Sequence, residues 1–260
     1  MNEIIIQYAD LFYGNRVLAL TGCHMTPRAG PSCEINVLVY PATGERKVVR
    51  SGKSLVEFIP TSIPLSLPAS HSVPIRDFDF KYNELVDRDE GRFYGKALRA
   101  SLESAIRALV LGRQLDIEKR RPFVIMAATY LADGYLLSKM EMPSPSHIYR
   151  QLNETAPDKV LIISKVFEED VAFGSLLWGR AAAIRRTLNR TDGELFIGKF
   201  QDHFKSGRNP EANFYLMHSL QLLNPEQIPR LGRTWLSGED ILKEEDSLLK
   251  EIKVLSQKAL

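Results

Sequence analysis

The sequence predicts an α+β fold, with a β-rich N-terminal region followed by a mixed segment and a helical C-terminal region. Three observations carry that expectation. Short β-branched runs punctuated by glycine and proline fill the first third of the 260 residues. Apolar residues at helical spacing fill the last third. Strands and helices are segregated along the chain instead of alternating, as a doubly wound sheet would require. The expected division is residues 1–90, β-rich with a proline-spaced connection, 91–170, mixed helix and strand, and 171–260, helical. The length equally allows all three to form one domain.

In chain order, Glu3–Gln7, Arg16–Thr21, Glu34–Tyr40 and Arg46–Arg50 are expected strands, because β-branched residues cluster there between turn signals such as Gly14-Asn15. Thr43-Gly44, between two such runs, predicts a hairpin. Pro60, Pro64, Pro68 and Pro74 then interrupt any regular element, so residues 60–75 are expected as an extended connection. Gly91–Leu111 predicts a helix whose apolar face holds Leu98, Leu102, Ala105, Ile106 and Leu109, with Gly112 as its stop. A separate face of that helix collects Ala97, Ser101, Ser104 and Ala108, small enough for close approach of a neighbour.

Phe123–Tyr130 is expected as a strand, turning at Ala132-Asp133-Gly134 into Tyr135–Leu137. His147–Leu152 predicts one or two helical turns. Lys159–Phe167 has the continuous apolar character of a strand in mid-sheet. Gly174–Asn189 predicts a helix with Leu177, Ala181, Ile184 and Leu188 on one face. Asn209-Pro210-Glu211 has the form of a helix start, an N-cap followed by proline and an acid. Ser237–Asp240 fits a capping box ahead of the closing helix. That helix carries a seam of Ile241, Leu248, Ile252 and Leu255, interrupted by Glu245. Such a seam either docks on the core or, if exposed, serves self-association or a protein partner.

Charge is the most informative functional pattern. The whole chain is only +2, yet Arg92–Arg121 and residues 171–208 each concentrate basic residues well beyond their acids. On a helical wheel Arg92, Lys96, Arg99 and Arg107 form one stripe beside the apolar face, with Glu103 inside it. In the second cluster, Arg180 and Arg185 flank the apolar face, while Arg186 and Arg190 point away from it. Arginine forks match phosphate geometry, and Phe93, Tyr94 and Trp178 are placed in sequence where they could stack on bases. These residues predict a binding protein for nucleic acid, such as RNA, or for another phosphate-bearing ligand. Arg92, Lys96, Arg99, Arg107, Arg180, Arg185, Arg186 and Arg190 are its candidate site. The bland alternative is that these arginines lie along the core edge and pair with local acids.

Two further functional classes stay open. One is an assembly or regulatory subunit that binds protein through its C-terminal helices. The other is a metal-dependent phosphodiester-cleaving enzyme, for which Asp133, Asp158 and Asp192 are the carboxylates to watch. His203 and His218 lie 15 residues apart with nothing in sequence to orient them. No Gly-rich phosphate loop, G-x-S-x-G elbow or H-E-x-x-H appears, so no cofactor is expected and no catalytic residue is assigned. Cys23, His24, Cys33 and His71 match no compact metal spacing, so no metal is expected either. Two cysteines in a chain of this length read as reduced thiols, which favours a cytoplasmic location. No basic segment precedes an apolar run at the start, and no window approaches the roughly 18 apolar residues of a membrane helix.

Overall fold

In a computed structural model of the chain, describing residues 2–25, 33–51, 54–62, 67–87, 89–167, 174–231 and 240–258, the triple isoleucine at the start opens a helix. Helix α1 spans Asn2–Tyr13 where a strand was expected. Its β-branched run misleads because Ile5 and Ala9, four apart, form a helical face that is buried against a sheet. The other early strands form: β1 (Val17–Thr21), β2 (Ile35–Tyr40) and β3 (Lys47–Ser51). They are joined by β4 (Ser54–Pro60), the two-residue β5 (Leu67–Pro68), β6 (Ser72–Arg76) and the two-residue β7 (Val86–Asp87).

The main sheet has the order β3-β4-β2-β1-β6 and is mixed, since β2 and β4 run parallel while the other neighbours are antiparallel. The hairpin expected at Thr43-Gly44 is therefore not a ladder between β2 and β3. Strand β4 lies between them, and β3 pairs with β4 from Lys47↔Phe58 to Ser51↔Ser54. The prolines expected in an extended connection partly serve as strand punctuation. Pro60 ends β4, and Pro74 sits in β6 at the sheet edge, where a missing donor is tolerated. Residues 63–66 of that connection lie outside the described residues.

Period-2 alternation decides which side chains of the sheet meet α1. Leu18, Ile35, Val37, Val39, Val56 and Phe58 form one core with Ile5 and Ala9, and Phe12 packs edge-on against Phe58. On the other face Val17 and Tyr40 meet Leu85 and Tyr82 of the short helix α2 (Tyr82–Leu85). The Tyr40 hydroxyl donates to Glu84 at 2.6 Å.

The chain divides into two compact units, residues 1–93 and 94–260, with the division falling inside helix α3 (Glu90–Arg113). In the second unit Phe123–Tyr130 and Ala132-Asp133-Gly134, expected as a strand and turn, form the single helix α4 (Arg121–Leu137). Lys159–Phe167, expected as a strand, lies in helix α6 (Pro157–Phe167). Every residue of α4 except Tyr130 is buried. A helix apolar on all sides belongs at the centre of a bundle, and it shows no one-sided periodicity by which a sequence reading could recognise it.

Around α4 pack α5 (Ile148–Thr155), α6, α9 (Asn209–His218) and α10 (Ile241–Lys258). Helix α3 approaches closely through its small residues. Ser101 donates to the Tyr130 carbonyl at 2.7 Å. Gly112 is not a stop, because α3 continues to Arg113; a Cβ at Gly112 would sit 3.0 Å from that of Phe123, so glycine permits the close crossing. Leu98, Leu102, Ala105 and Leu109 are buried as expected, whereas Ile106 is exposed.

Helices α7 (Gly174–Thr187) and α8 (Arg190–Lys205) complete the unit with α9. Asn209 is the first helical residue of α9 and not its cap, a position held by Arg208 without a side-chain bond. Ser237 to Glu239 of the proposed capping box lie outside the described residues. The seam Ile241, Leu248, Ile252 and Leu255 is buried within the unit, so it docks α10 on α4 and does not present a face for self-association. Tyr135 donates to Glu251, which Lys159 also reaches at 3.1 Å, so α4, α6 and α10 meet in one polar contact beside the seam. Burial, and then the Glu251 carboxylate, push the Tyr135 phenol well above its ordinary pKa. Among the described residues, no helix is long and apolar enough to cross a membrane.

Candidate anion-binding face

The basic residues fall into two groups that their sequence positions do not separate. Arg113, Arg120 and Arg121 are neutralised by α10. Arg113 Nε lies 2.9 Å from Glu245 Oε2, and Arg120 Nη1 lies 3.8 Å from Glu245 Oε1. Arg121, only 1% exposed, meets Glu244 at 2.5 Å and donates to the Val166 carbonyl at 2.6 Å. Lys119 pairs locally with Asp116 at 2.8 Å. This half of the first cluster behaves as the bland alternative anticipates.

The other half does not. Arg92, Lys96, Arg99 and Arg107 are exposed on α3, and none is ion-paired with a described residue. Arg92 falls in the first unit, and Lys96, Arg99 and Arg107 in the second. Arg99 Nε donates to the Gly95 carbonyl of its own helix at 3.3 Å, which holds the side chain along the helix surface. Glu103, between Arg99 and Arg107, is also exposed and pairs with neither. From Lys96 to Arg107 the stripe runs about 16 Å along the axis.

The second cluster divides differently. Arg180 is buried and has its own interactions within the chain. Arg186 and Arg190 do not share a helix, because α7 ends at Thr187 and Asn189 caps α8 by accepting from the Asp192 N–H at 3.0 Å. Arg190 pairs with Glu194 at 3.1 Å. Arg185 and Arg186 remain exposed without an ion pair among the described residues. Of the aromatic candidates, Tyr94 and Trp178 are engaged in packing, and Phe93, in the first unit, is half-buried. Tyr94 is buried, and Trp178 stands edge-on to Phe200 at 5.2 Å and to Phe204 at 5.6 Å.

Beside this stripe the fold builds a polar cluster that the sequence does not announce. His218 Nε2 lies 3.0 Å from Asp133 Oδ1, and Gln221 donates to Asp133 Oδ2 at 2.9 Å and to Thr129 Oγ1 at 3.1 Å. Asp133 and His218 are 85 residues apart, so no local spacing could have revealed them. Tyr130 adjoins the cluster: burial and then Asp133 raise its phenol pKa, against the opposing pull of Arg107. His203 lies elsewhere, wholly buried beside Tyr215.

The three carboxylates noted for metal chemistry sit on separate helices with separate partners. Asp133 holds His218, Asp158 lies 3.4 Å from Lys159 in α6, and Asp192 belongs to the cap of α8. Neither unit by itself gathers three His, Cys, Asp or Glu ligand atoms among its described residues. Cys23 and Cys33 are not joined in a disulfide, and His24 Nε2 lies 3.1 Å from the Cys33 carbonyl oxygen.

Glu245 offers a test of how the first cluster is neutralised. It interrupts the apolar seam and is 1% exposed, while Arg113 is largely hydrated. Removing one partner of a buried pair costs stability when the other charge is stranded away from water, but Glu245 is the buried member here, and its partners Arg113 and Arg120 keep 48% and 21% exposure and can rehydrate. Glu245→Leu is therefore expected to hold or raise the thermal midpoint of the full chain. A fall of several degrees in a melting curve would show that the ion pairs contribute more than the desolvation of Glu245 costs.

No family model matches the chain, no curated protein matches its sequence, and no solved structure matches it.

Proposed function

We propose that this protein binds nucleic acid, or another extended phosphate-bearing ligand, through the exposed stripe of α3. The observation that carries the reading is the contrast within one cluster. Glu244 and Glu245 neutralise Arg113, Arg120 and Arg121, whereas Lys96, Arg99 and Arg107 face solvent without a carboxylate among the described residues. Arg185 and Arg186 on α7 are further exposed cations of the same unit. A 16 Å stripe matches the rise of about five stacked nucleotides on one strand. Tyr94 is buried and Trp178 is half-buried against Phe200 and Phe204, so recognition runs mainly through phosphate, and sequence preference is weak. Two cysteines outside any disulfide accord with a reducing, cytoplasmic setting.

Fluorescence anisotropy with a labelled oligouridylate tests the proposal. Three phosphate contacts give a slope of log affinity against log salt of about −2 for a single strand. Arg99→Glu with Arg107→Glu is expected to lower affinity by roughly tenfold or more at low salt, with an unchanged melting curve. Pyrophosphate as competitor separates the two ligand forms: weak competition indicates an extended polyanion, and strong competition a compact phosphate site. No binding at low salt, or binding indifferent to the double charge reversal, would sink the proposal.

A further inference from the structure

A cleft of about 350 Å³ opens between α5, α6 and α9 and shares no lining residue with the α3 stripe. That volume lies at the lower end for small-molecule sites. Among its polar side chains, Asn153 donates to the Tyr149 carbonyl at 2.9 Å, while those of Asn213, Ser164 and Tyr149 have no hydrogen-bond partner among the described residues. Asn213, 4% exposed on α9, lines the cleft with a carboxamide oxygen that is shielded from solvent and has no hydrogen-bond partner. A buried acceptor in that state is uncommon in a folded protein and marks a place where a ligand or water belongs. Ser164, also buried, and Tyr149 line the same cleft, and neither hydroxyl bonds to another described residue.

The lining also excludes ligand classes. Among the described residues it contains no Asp, Glu, Lys, Arg or His. Two helices begin at its rim, α6 at Pro157 and α9 beside Pro210, but Asp158 and Glu211 already place negative charge in their first turns. An anion would therefore enter without a cation to meet it, and a cation without a carboxylate. The remaining wall is apolar and rigid: Phe214 stands edge-on to Tyr149 at 5.0 Å and to Phe167 at 4.8 Å.

We infer that the cleft binds a small, neutral, planar ligand bearing an amide or lactam edge. A turn of the Asn213 carboxamide that brings its shielded oxygen to the cleft lets it meet that edge as donor and acceptor, as paired amides do, and Ser164 and Tyr149 supply the flanking hydrogen bonds. The inference is independent of the polyanion reading.

Ligand-observed NMR on the full chain tests it with nicotinamide and uracil as probes and with benzoate and toluene as controls. Nicotinamide and uracil are expected to bind saturably in the millimolar range, and the two controls at least roughly tenfold more weakly. Asn213→Leu is expected to weaken amide binding by roughly tenfold or more, and Ser164→Ala by less. Ser164→Ala serves alone if Asn213→Leu fails to fold. Arg99→Glu with Arg107→Glu is expected to leave nicotinamide binding unchanged. Absence of saturable binding, equal binding of benzoate or toluene, or binding insensitive to both cleft variants would overturn the inference and leave a water-filled cleft.

Discussion

Arg121→Ala is expected to lower the unfolding free energy of the helical unit by about 3–5 kcal/mol. The Arg121 side chain is 1% exposed at the start of α4, and its two terminal nitrogens do different work. One meets Glu244 on α10 at 2.5 Å, and the other donates to the carbonyl of Val166 in the last turn of α6 at 2.6 Å. A guanidinium thus closes one helix end while tying it to another helix, a role that arginine's fork geometry suits and lysine's point charge does not.

Truncation leaves a cavity, a Glu244 carboxylate deprived of Arg121 and an open helix terminus together. Glu244 is 16% exposed and partly rehydrates, which sets the estimate nearer the middle of that range than its top. Urea denaturation of the full chain, followed by far-ultraviolet circular dichroism, measures the loss. A combined Arg121→Met and Glu244→Gln variant is expected to recover part of it, because the cavity is filled and no charge is stranded. A loss below about 1 kcal/mol for Arg121→Ala, the level of an exposed pair, would show that the contact contributes little.

Phe200→Ala is expected to cost about 3–5 kcal/mol in the same unit. Phe200 is fully buried on α8 and touches three rings. Trp178 meets it edge-on at 5.2 Å, while Phe196 and Phe204 stack on it at 6.3 and 5.9 Å. These contacts join α7 to α8, and Phe196 continues the stack to Tyr215 on α9. Removing the central ring takes apolar area from the core and leaves its neighbours without an edge or face to pack on. Chemical denaturation measures the cost, and a change in the tryptophan fluorescence spectrum reports the altered ring environment. Phe200→Leu retains most of the volume and is expected to lose less than Phe200→Ala. Equal losses for the two would indicate that ring geometry, and not filled volume, holds the three helices.

These two residues also illustrate how unevenly the fold and its site were legible. Phe200 lies in a helix that the sequence pattern does not predict, and the Asn189 that caps it reads instead as the end of the preceding helix. Its neighbours in the bundle also come from helices that the residue pattern does not pair. Arg121 belonged to a basic cluster that was visible at once, but its partner lies 123 residues away, as Glu245 lies 132 from Arg113. The stripe Arg92, Lys96, Arg99 and Arg107 was recognisable from helical spacing alone, because an exposed amphipathic helix keeps its period. Arg186 and Arg190 were misjudged as helical neighbours, since an asparagine cap between them restarts the helix. The Asp133–His218 contact and the Asn213 cleft left no signal, because each depends on helices brought together from distant parts of the chain.

By itself the sequence determined the segregated α+β order, β1, β2 and β3 within their β-branched runs, and the amphipathic helices α3, α7 and α10. Those elements each have one face toward the core and one toward water, so their periodicity is written into the residues. Only the tertiary structure decided that α1, α4 and α6 are helices, that β4 parts β2 from β3, and which arginines stay free. A segment enclosed on nearly every side, as α4 is, has no polar face to betray its period. The availability of a charge is settled by whichever acid the packed chain brings within reach. The physical reason is the same in each case: local pattern records only a residue's contrast between core and solvent, while pairing and enclosure are properties of the assembled neighbours.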